Sequence, residues 1–424
     1  MKKLWLTSLI LLTSLSLIMA GCGNSGQSST SASGKKVIHI YQGKVEIADA
    51  LAKLKVEYEK EHPDVELQIQ SVGGGTDYAA SLKAKFAAGD IPDIFTNGGD
   101  EELNLWQEYL EDLSDQPWVK NIVDGAADQI SKDGKIYGQP NGLEGYGFIY
   151  NKDIFKKVGI TEVPTTIDEL RAACEKLQAA GYTPFSNGFQ EWWVLGNHNV
   201  TIPFAHQPDP TQFVEDLDNG TAQIPGNEKF NEWLNLLDLM VKYGNANPLT
   251  TDYNTQVTLF ANGKAAMMQQ GNWTQVQIDG IKPNMNIGLM PMPINNNKEE
   301  NDRLFVRVPN NWVIYNQSPV KQEAKDFLNW LVTSDTGKHF ITDEFKFVPA
   351  FKNIPTTDKQ LGPIGADIVR YNDAGKILPW IFPKFPMGLS KDYASTMQQY
   401  LVGELSKEAM LQQMQEQWVN LQLR

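Results

Sequence analysis

The stretch Asp133–Phe155, DGKIYGQPNGLEGYGFIYNKDIF, constrains this chain more than any other. Two β-prone runs, Ile136–Pro140 and Tyr146–Tyr150, stand almost end to end, with Asn141-Gly142-Leu143-Glu144-Gly145 between them. Proline has no N–H with which to continue a ladder, so the first strand stops at Pro140. A glycine-bracketed crossing between two strands suits a chain that passes from one lobe to another and bends at the passage. Glu144, the carboxylate of that crossing, is expected at the mouth of an interlobe cleft.

Upstream the pattern is strand, helix, strand. Val37–Tyr41 is short and β-branched, Ile47–His62 has helical spacing at Ile47, Leu51, Leu54 and Tyr58, and Val65–Val72 alternates after Pro63-Asp64. The glycines at 73–75 then feed a predicted helix, Tyr78–Ala88, and Ile94-Phe95 opens a third strand. This βαβαβ order predicts a mostly parallel sheet with helices on both faces. Ligands of such sheets bind beyond the carboxyl ends of the strands, which places Gln42–Glu46, Gly73–Tyr78 and Thr96–Asp100 at a site. The glycine run lacks the Gly-Lys-Ser/Thr ending of a P-loop, and Gly43 stands alone, so nucleotide binding is not indicated.

Several motifs carry a resemblance. Asp133-Gly134-Lys135-Ile136-Tyr137-Gly138-x-Pro140, Tyr150-Asn151-Lys152-Asp153-x-Phe155-x-Lys157-x-Gly159-Ile160 and Pro164-Thr165-Thr166-x-Asp168-Glu169-Leu170 follow one another in fixed order. With Gly89–Phe95 (GDIPDIF), Phe260–Trp273 (FxxGKAAMxxxGxW) and Glu323–Leu331 (EAxxFLxWL), the chain resembles family 1 extracellular solute-binding proteins. These are the sugar-capturing subunits of ABC importers. The resemblance implies a two-lobed periplasmic-binding-protein-like α/β fold, each lobe a mostly parallel sheet flanked by helices, joined by a multi-strand hinge. It places residues 36–142 with 308–348 in the first lobe and 143–307 with 349–424 in the second, with a third crossing near Phe347–Phe351. It further implies a monomeric binding unit with no catalytic residue, cofactor or metal, serving a membrane permease driven by a separate ATPase.

Beyond the first crossing, Thr166 and Glu169 read as a capping box for a helix to Ala180. Ser186–Trp193 reads as a loop, residues 201–226 as polar and turn-rich without assignment, and Phe230–Tyr243 and Tyr253–Phe260 as helices. A strand ends at Gly271-Asn272-Trp273, another lies in Pro283–Pro293, and Asn295–Asp302 is an exposed loop. Phe305–Val308 returns the chain to the first lobe, and Glu323–Thr333 fits a helix. The remainder is helical in pattern, broken by the aromatic, proline-bounded Leu378–Pro383.

The cleft loops supply the chemistry of a sugar site. A pyranose has an apolar C–H face, which wants flat aromatic surface, and a ring of hydroxyls, which wants carboxylates and amides. The candidate aromatics are Tyr78, Tyr146, Trp192, Trp193, Trp273, Trp312, Trp380 and Phe382. The candidate polar residues are Gln42, Glu46, Asp77, Asn97, Asp100, Glu144, Asn187, Glu191, Asn272 and Asn310. Glu144, Trp193, Trp273 and Trp380 are the leading members, and so many aromatics indicate an oligosaccharide. Two alternatives stand beside this reading. One is a surface glycosidase, since spacing alone does not exclude an acid pair of Glu144 with Glu191 or Asp100. The other is a binding protein for a charged solute, although the candidate loops hold only Lys44 and Arg307 as cations. The 5 histidines are scattered, with no HExxH, and GxSxG is absent.

At the N-terminus, Lys2-Lys3, the apolar run Leu4–Ile18 and Met19-Ala20-Gly21-Cys22 read as a secretory signal. The last four residues resemble the lipobox of bacterial lipoproteins, which implies a signal peptide over 1–21 and lipidation of Cys22, palmitate included. A Gly/Ser/Thr/Asn-rich linker over 22–35 would then reach about 20 Å as a flexible tether. The expected location is the extracytoplasmic face of a bacterial cell membrane, in a Gram-positive cell. The net charge of −14, more negative still once Lys2 and Lys3 leave with the signal, argues against nucleic acid and anionic lipid as partners. Cys174 lies on an apolar stripe with Leu170 and Leu177 and reads as a buried small hydrophobe.

Overall fold

A computed structural model describes residues 29–31, 34–73 and 76–422. The signal segment, Cys22 and most of the linker lie outside the described residues, as do Gly74 and Gly75. In chain order the strands are β1 (Lys36–Gln42), β2 (Val65–Ser71), β3 (Ile94–Asn97), β4 (Ser131–Lys132), β5 (Lys135–Ile136), β6 (Gly138–Pro140) and β7 (Glu144–Asn151). There follow β8 (Thr183–Ser186), β9 (Ala265–Gly271), β10 (Ile287–Met290), β11 (Leu304–Arg307), β12 (Asn311–Ile314) and β13 (Ile377–Leu378).

Two helix-flanked sheets result. The first has the order β2-β1-β3-β12-β6, and the second β13-β11-β7-β9-β8 with β10 also paired to β7. The two-lobed α/β architecture is as expected, but the pairing is mixed where mostly parallel sheets were expected. β1 pairs in parallel with β2 and β3, whereas β12 runs antiparallel to β3 and β6. In the second sheet β7 is antiparallel to β9, β10 and β11. The cause is the crossing itself: β6 leaves the first sheet and β7 enters the second, while β11 and β12 make the same passage in reverse. Strands that carry the chain in opposite directions through one waist must pair antiparallel to their neighbours.

That topology gathers all the relevant loops at one place. The carboxyl ends of β1, β2, β3 and β6 and the amino end of β12 share one edge of the first sheet. The amino end of β7 and the carboxyl ends of β8, β9, β11 and β13 share the facing edge of the second. Ligand chemistry is therefore confined to the gap between these edges.

The waist is tighter than its glycines suggested. A Cβ on Gly142 would lie 2.8 Å from the Val348 carbonyl oxygen, because the third crossing packs directly on the first through a Leu143–Val348 bridge. Glycine is needed there for close approach of two backbones. Each sheet has its own core. Leu54, Tyr58, Phe327 and Trp330 anchor one that extends to Phe351 and Ile354, and Phe148, Phe185, Trp233 and Trp418 anchor the larger second core.

Local signals in the sequence account for many helix boundaries. Asp77 caps the helix Tyr78–Ala88 by accepting from the Ala80 N–H, and Thr166 caps Ile167–Ala179 by accepting from the Glu169 N–H at 3.1 Å. A side-chain cap of this kind stabilises a helix by about 1 kcal/mol. The expected reciprocal bond is displaced by one residue, since Glu169 accepts from the Thr165 N–H. Asn295–Asp302 is not the exposed loop expected: it holds the short helix Lys298–Asn301, and Asn301 is buried, donating to and accepting from the turn before it. Cys174 is fully buried, and burial pushes its thiol far above the ordinary range.

Candidate functional site

Three ion pairs join the facing edges. Lys44, in the loop after β1, reaches Glu144 at the start of β7 at 2.5 Å and Glu46 of its own loop at 3.0 Å. Arg307, the last residue of β11, meets Asp100 at 2.6 Å and donates to the Gly98 carbonyl at 3.0 Å. Lys391, on the helix Leu389–Leu401, pairs with Asp77. Burial works against the charge on Lys44, but Glu144 and Glu46 outweigh it and hold the ammonium protonated. Burial likewise raises Glu144, against the pull of Lys44. Glu144 is thus at the floor of the cleft, 6% exposed, rather than at its mouth, because the Lys44 loop closes over it.

Above that floor stands a cage of rings in the second lobe. His198 is its centre: Tyr146 stacks on it at 4.5 Å, and Trp273, Trp193 and Trp380 surround it at 5.1, 5.3 and 5.4 Å. Phe382 lies against Trp380 at 5.7 Å, and Tyr253 against Trp193 at 5.6 Å. Glu191 accepts from the Tyr253 N–H, so a third carboxylate borders the same space. The residues after β8, β9 and β13 each supply part of the cage, which is why segments far apart in sequence meet.

Within this cage some polar atoms are committed and some are not. The Tyr146 hydroxyl donates to the His198 carbonyl, and the Trp273 indole N–H donates to Gln270. His198 Nδ1, the Tyr253 hydroxyl and the Trp380 indole nitrogen are buried with no hydrogen-bond partner among the described residues. Nearly all buried polar groups in folded proteins are hydrogen-bonded, so three orphans beside aromatic rings make this cage the candidate ligand site. Burial, with Lys44 nearby, lowers the His198 pKa to about 3, which keeps the imidazole neutral.

The other expected residues have visible duties of their own. Gln42 and Asn97 hold the shapes of their loops, the former by bonding both backbone groups of Lys44, the latter by accepting from the Gly99 N–H. Asn272 accepts from the Gly145 N–H and donates to the Leu143 carbonyl, clamping the waist. Asn187 donates to the Met240 carbonyl, and the Tyr78 hydroxyl bonds the Thr96 backbone. Trp312 packs in the first-lobe core, and Asn310 meets the waist through its carbonyl, which accepts from the Asn141 N–H. Trp192 and Trp193 begin a helical run rather than sit on a loop, and both are half-buried. Not among the expected residues are His198 and Tyr253 of the cage and the interlobe cation Lys391, whereas Lys44 and Arg307 were expected only as the cations of the candidate loops. Among the described residues no group of three or more His, Cys, Asp or Glu is placed to hold a metal ion.

Residues 43–338 match the family described as bacterial extracellular solute-binding protein. A melibiose/raffinose/stachyose-binding protein of Bacillus subtilis is 27% identical over 349 residues, covering 78% of this chain and 78% of its own. A multiple sugar-binding protein of Streptococcus mutans is 26% identical over 299 residues, covering 69% of this chain and 70% of its own. Among solved structures, SBP RafE in complex with raffinose superposes with a TM-score of 0.80 at 22% identity, over 91% of this chain and 99% of that one. A sugar transporter of Bacillus licheniformis in complex with stachyose gives 0.76 at 21% identity, over 91% and 100%.

Proposed function

The chain belongs to the bacterial extracellular solute-binding protein family, and from that premise we propose that it captures an oligosaccharide between its lobes for an ABC importer. The observation that carries the sugar reading is the cage: aromatic rings around His198, with three buried polar atoms that find no partner among the described residues. Ring faces cover the C–H surface of a pyranose, and the uncommitted Nδ1, hydroxyl and indole N–H meet its hydroxyls. A sugar lacking a hydroxyl that the site is built to engage leaves a buried group unpaired, which costs about 1–3 kcal/mol and gives selectivity. Glu144, Glu191, Trp193, Trp273, Trp380 and Phe382 are the contacts we assign among the expected residues, with His198 and Tyr253 added. The names of relatives support α-galactosides of the melibiose, raffinose and stachyose series as first candidates. The protein is a binding subunit rather than an enzyme.

The lobes we propose are residues 36–142 with the segment from 308, and 143–307 with the C-terminal helices. Core membership of Phe351 and Ile354 supports a last boundary near residue 355, not 348. No described helix is long and apolar enough to cross a membrane, and attachment is assigned to lipid on Cys22, on the extracytoplasmic face of a Gram-positive cell membrane. The permease is the membrane partner, and the binding unit is monomeric.

Calorimetric titration of the body from Ser33 onward tests the reading, with melibiose, raffinose, stachyose, maltose to maltopentaose, and a β-linked xylo-oligosaccharide series. Saturable binding of one linkage class, with the ligand recovered intact by chromatography, is the expected result. Shortened ligand would replace the binding subunit by a glycosidase, and binding to no sugar would remove the oligosaccharide.

A further inference from the structure

The three interlobe ion pairs are not equivalent in position. Arg307 and Glu144 are strand residues beside the waist, at positions that face each other in the β7–β11 ladder. Asp77 instead lies in the loop after β2, where it caps the helix Tyr78–Ala88, outside the strands that cross the waist. Its partner Lys391 lies over the Trp192 ring, 5.1 Å from the centroid, and Trp192 follows β8, the far edge of the second sheet. Trp192 also immediately precedes Trp193 of the cage. One cation, Lys391, therefore bridges the lobes while covering an aromatic face beside the cage.

We propose that Lys391, held by Asp77 across the cleft, is a gate that sets the length of oligosaccharide the closed protein accepts, and that Trp192 is the platform it covers. This rests on the oligosaccharide reading above. A ligand that ends within the cage of Trp193, His198 and Trp380 leaves the gate shut. One that extends by a further unit meets Lys391 and must part it from Asp77, and only then does the Trp192 face become available for stacking. Both charged groups are partly exposed, Lys391 at 42% and Asp77 at 34%, so they are free to separate without unfolding anything. The gate acts on ligand length and not on sugar identity, because it touches neither the floor carboxylates nor the caged rings.

The test is titration of wild type, Lys391→Met, Asp77→Asn and the double variant Lys391→Met/Trp192→Ala with melibiose, raffinose and stachyose and with maltose to maltopentaose. In the series that binds, Lys391→Met and Asp77→Asn should each raise the affinity ratio of the longest to the shortest member at least fivefold over wild type. Adding Trp192→Ala should remove that increase, a result that loss of a structural contact alone would not produce. An unchanged length ratio in both single variants overturns the gate while leaving the sugar reading intact, and an increase that survives Trp192→Ala overturns the platform. Failure of wild type to bind either series sinks the sugar reading, and the gate with it.

Discussion

His198 concentrates the chemistry of this site in one side chain. An imidazole ringed by Tyr146, Trp193, Trp273 and Trp380 is deprived of water, and burial together with the Lys44 charge lowers its pKa from 6.5 to about 3. The unfolded chain then binds a proton near pH 6.5 that the folded chain refuses until about 3. Stability from this group is complete above pH 6.5 and is lost as the pH falls, by up to about 1.4 kcal/mol per unit. Urea unfolding of wild type and His198→Asn between pH 7 and 4 should show the steeper decline in wild type. Equal slopes would mean that the imidazole is not held neutral. Sugar affinity, by contrast, should be level for wild type across pH 5 to 8 and fall about tenfold or more in the variant. Of the candidate site, the tryptophans of the cage and Glu144 beneath it could be singled out from sequence because aromatic and acidic residues cluster at predicted strand ends. His198 was not, since it follows Trp193 by five residues and no three-or-four spacing brings the two together.

What brings them together is an element, the π-helical turn Val194–Asn199. Its i→i+5 register places Trp193 and His198 on one side, 5.3 Å apart. Gly196 lets that turn lie against the helix Leu389–Leu401, for a Cβ there would stand 1.8 Å from the Ser390 carbonyl oxygen. Gly196→Ala should therefore destabilise the protein by about 1–3 kcal/mol, and draw Lys391 away from Asp77. Thermal unfolding and the length ratio of bound oligosaccharides read both effects; a variant of unchanged stability would show that the helix moves aside freely. Helices with a side-chain cap and an apolar stripe, such as Tyr78–Ala88 and Ile167–Ala179, were legible from sequence. The helices within 201–226 were not, although Asp209-Pro210 is a capping signal. They are short, and what stabilises them is distant packing, with Phe204 lying against Phe213, Phe230, Phe385 and Trp418. Mixed strand pairing was hidden for a related reason, because a βαβαβ pattern reports neighbours in the chain and says nothing of strands that return through the waist.

For the whole molecule the question is what holds the lobes together before sugar arrives. A ligand shifts the population of closed protein only by its preference for the closed over the open form, so contacts already joining the lobes set the starting point. The waist pairs of Lys44 and Arg307 are largely buried, with side chains 9% and 12% exposed, and salt screens them weakly. The outer pair, Lys391 with Asp77, is open to solvent, and a pair of that kind contributes about 0–1 kcal/mol, which salt removes. Neither of its residues lies in a strand that crosses the waist, so it can part without disturbing the crossings. Small-angle scattering of the sugar-free protein should accordingly give a larger radius of gyration in 1 M salt than in dilute buffer. Lys391→Met should give the larger value at both, and the sugar-bound protein, whose lobes are bridged by a neutral ligand, the smaller one at both. If wild type and Lys391→Met scatter identically without sugar in dilute buffer, the outer pair adds nothing to closure, and the buried pairs at the waist carry it alone.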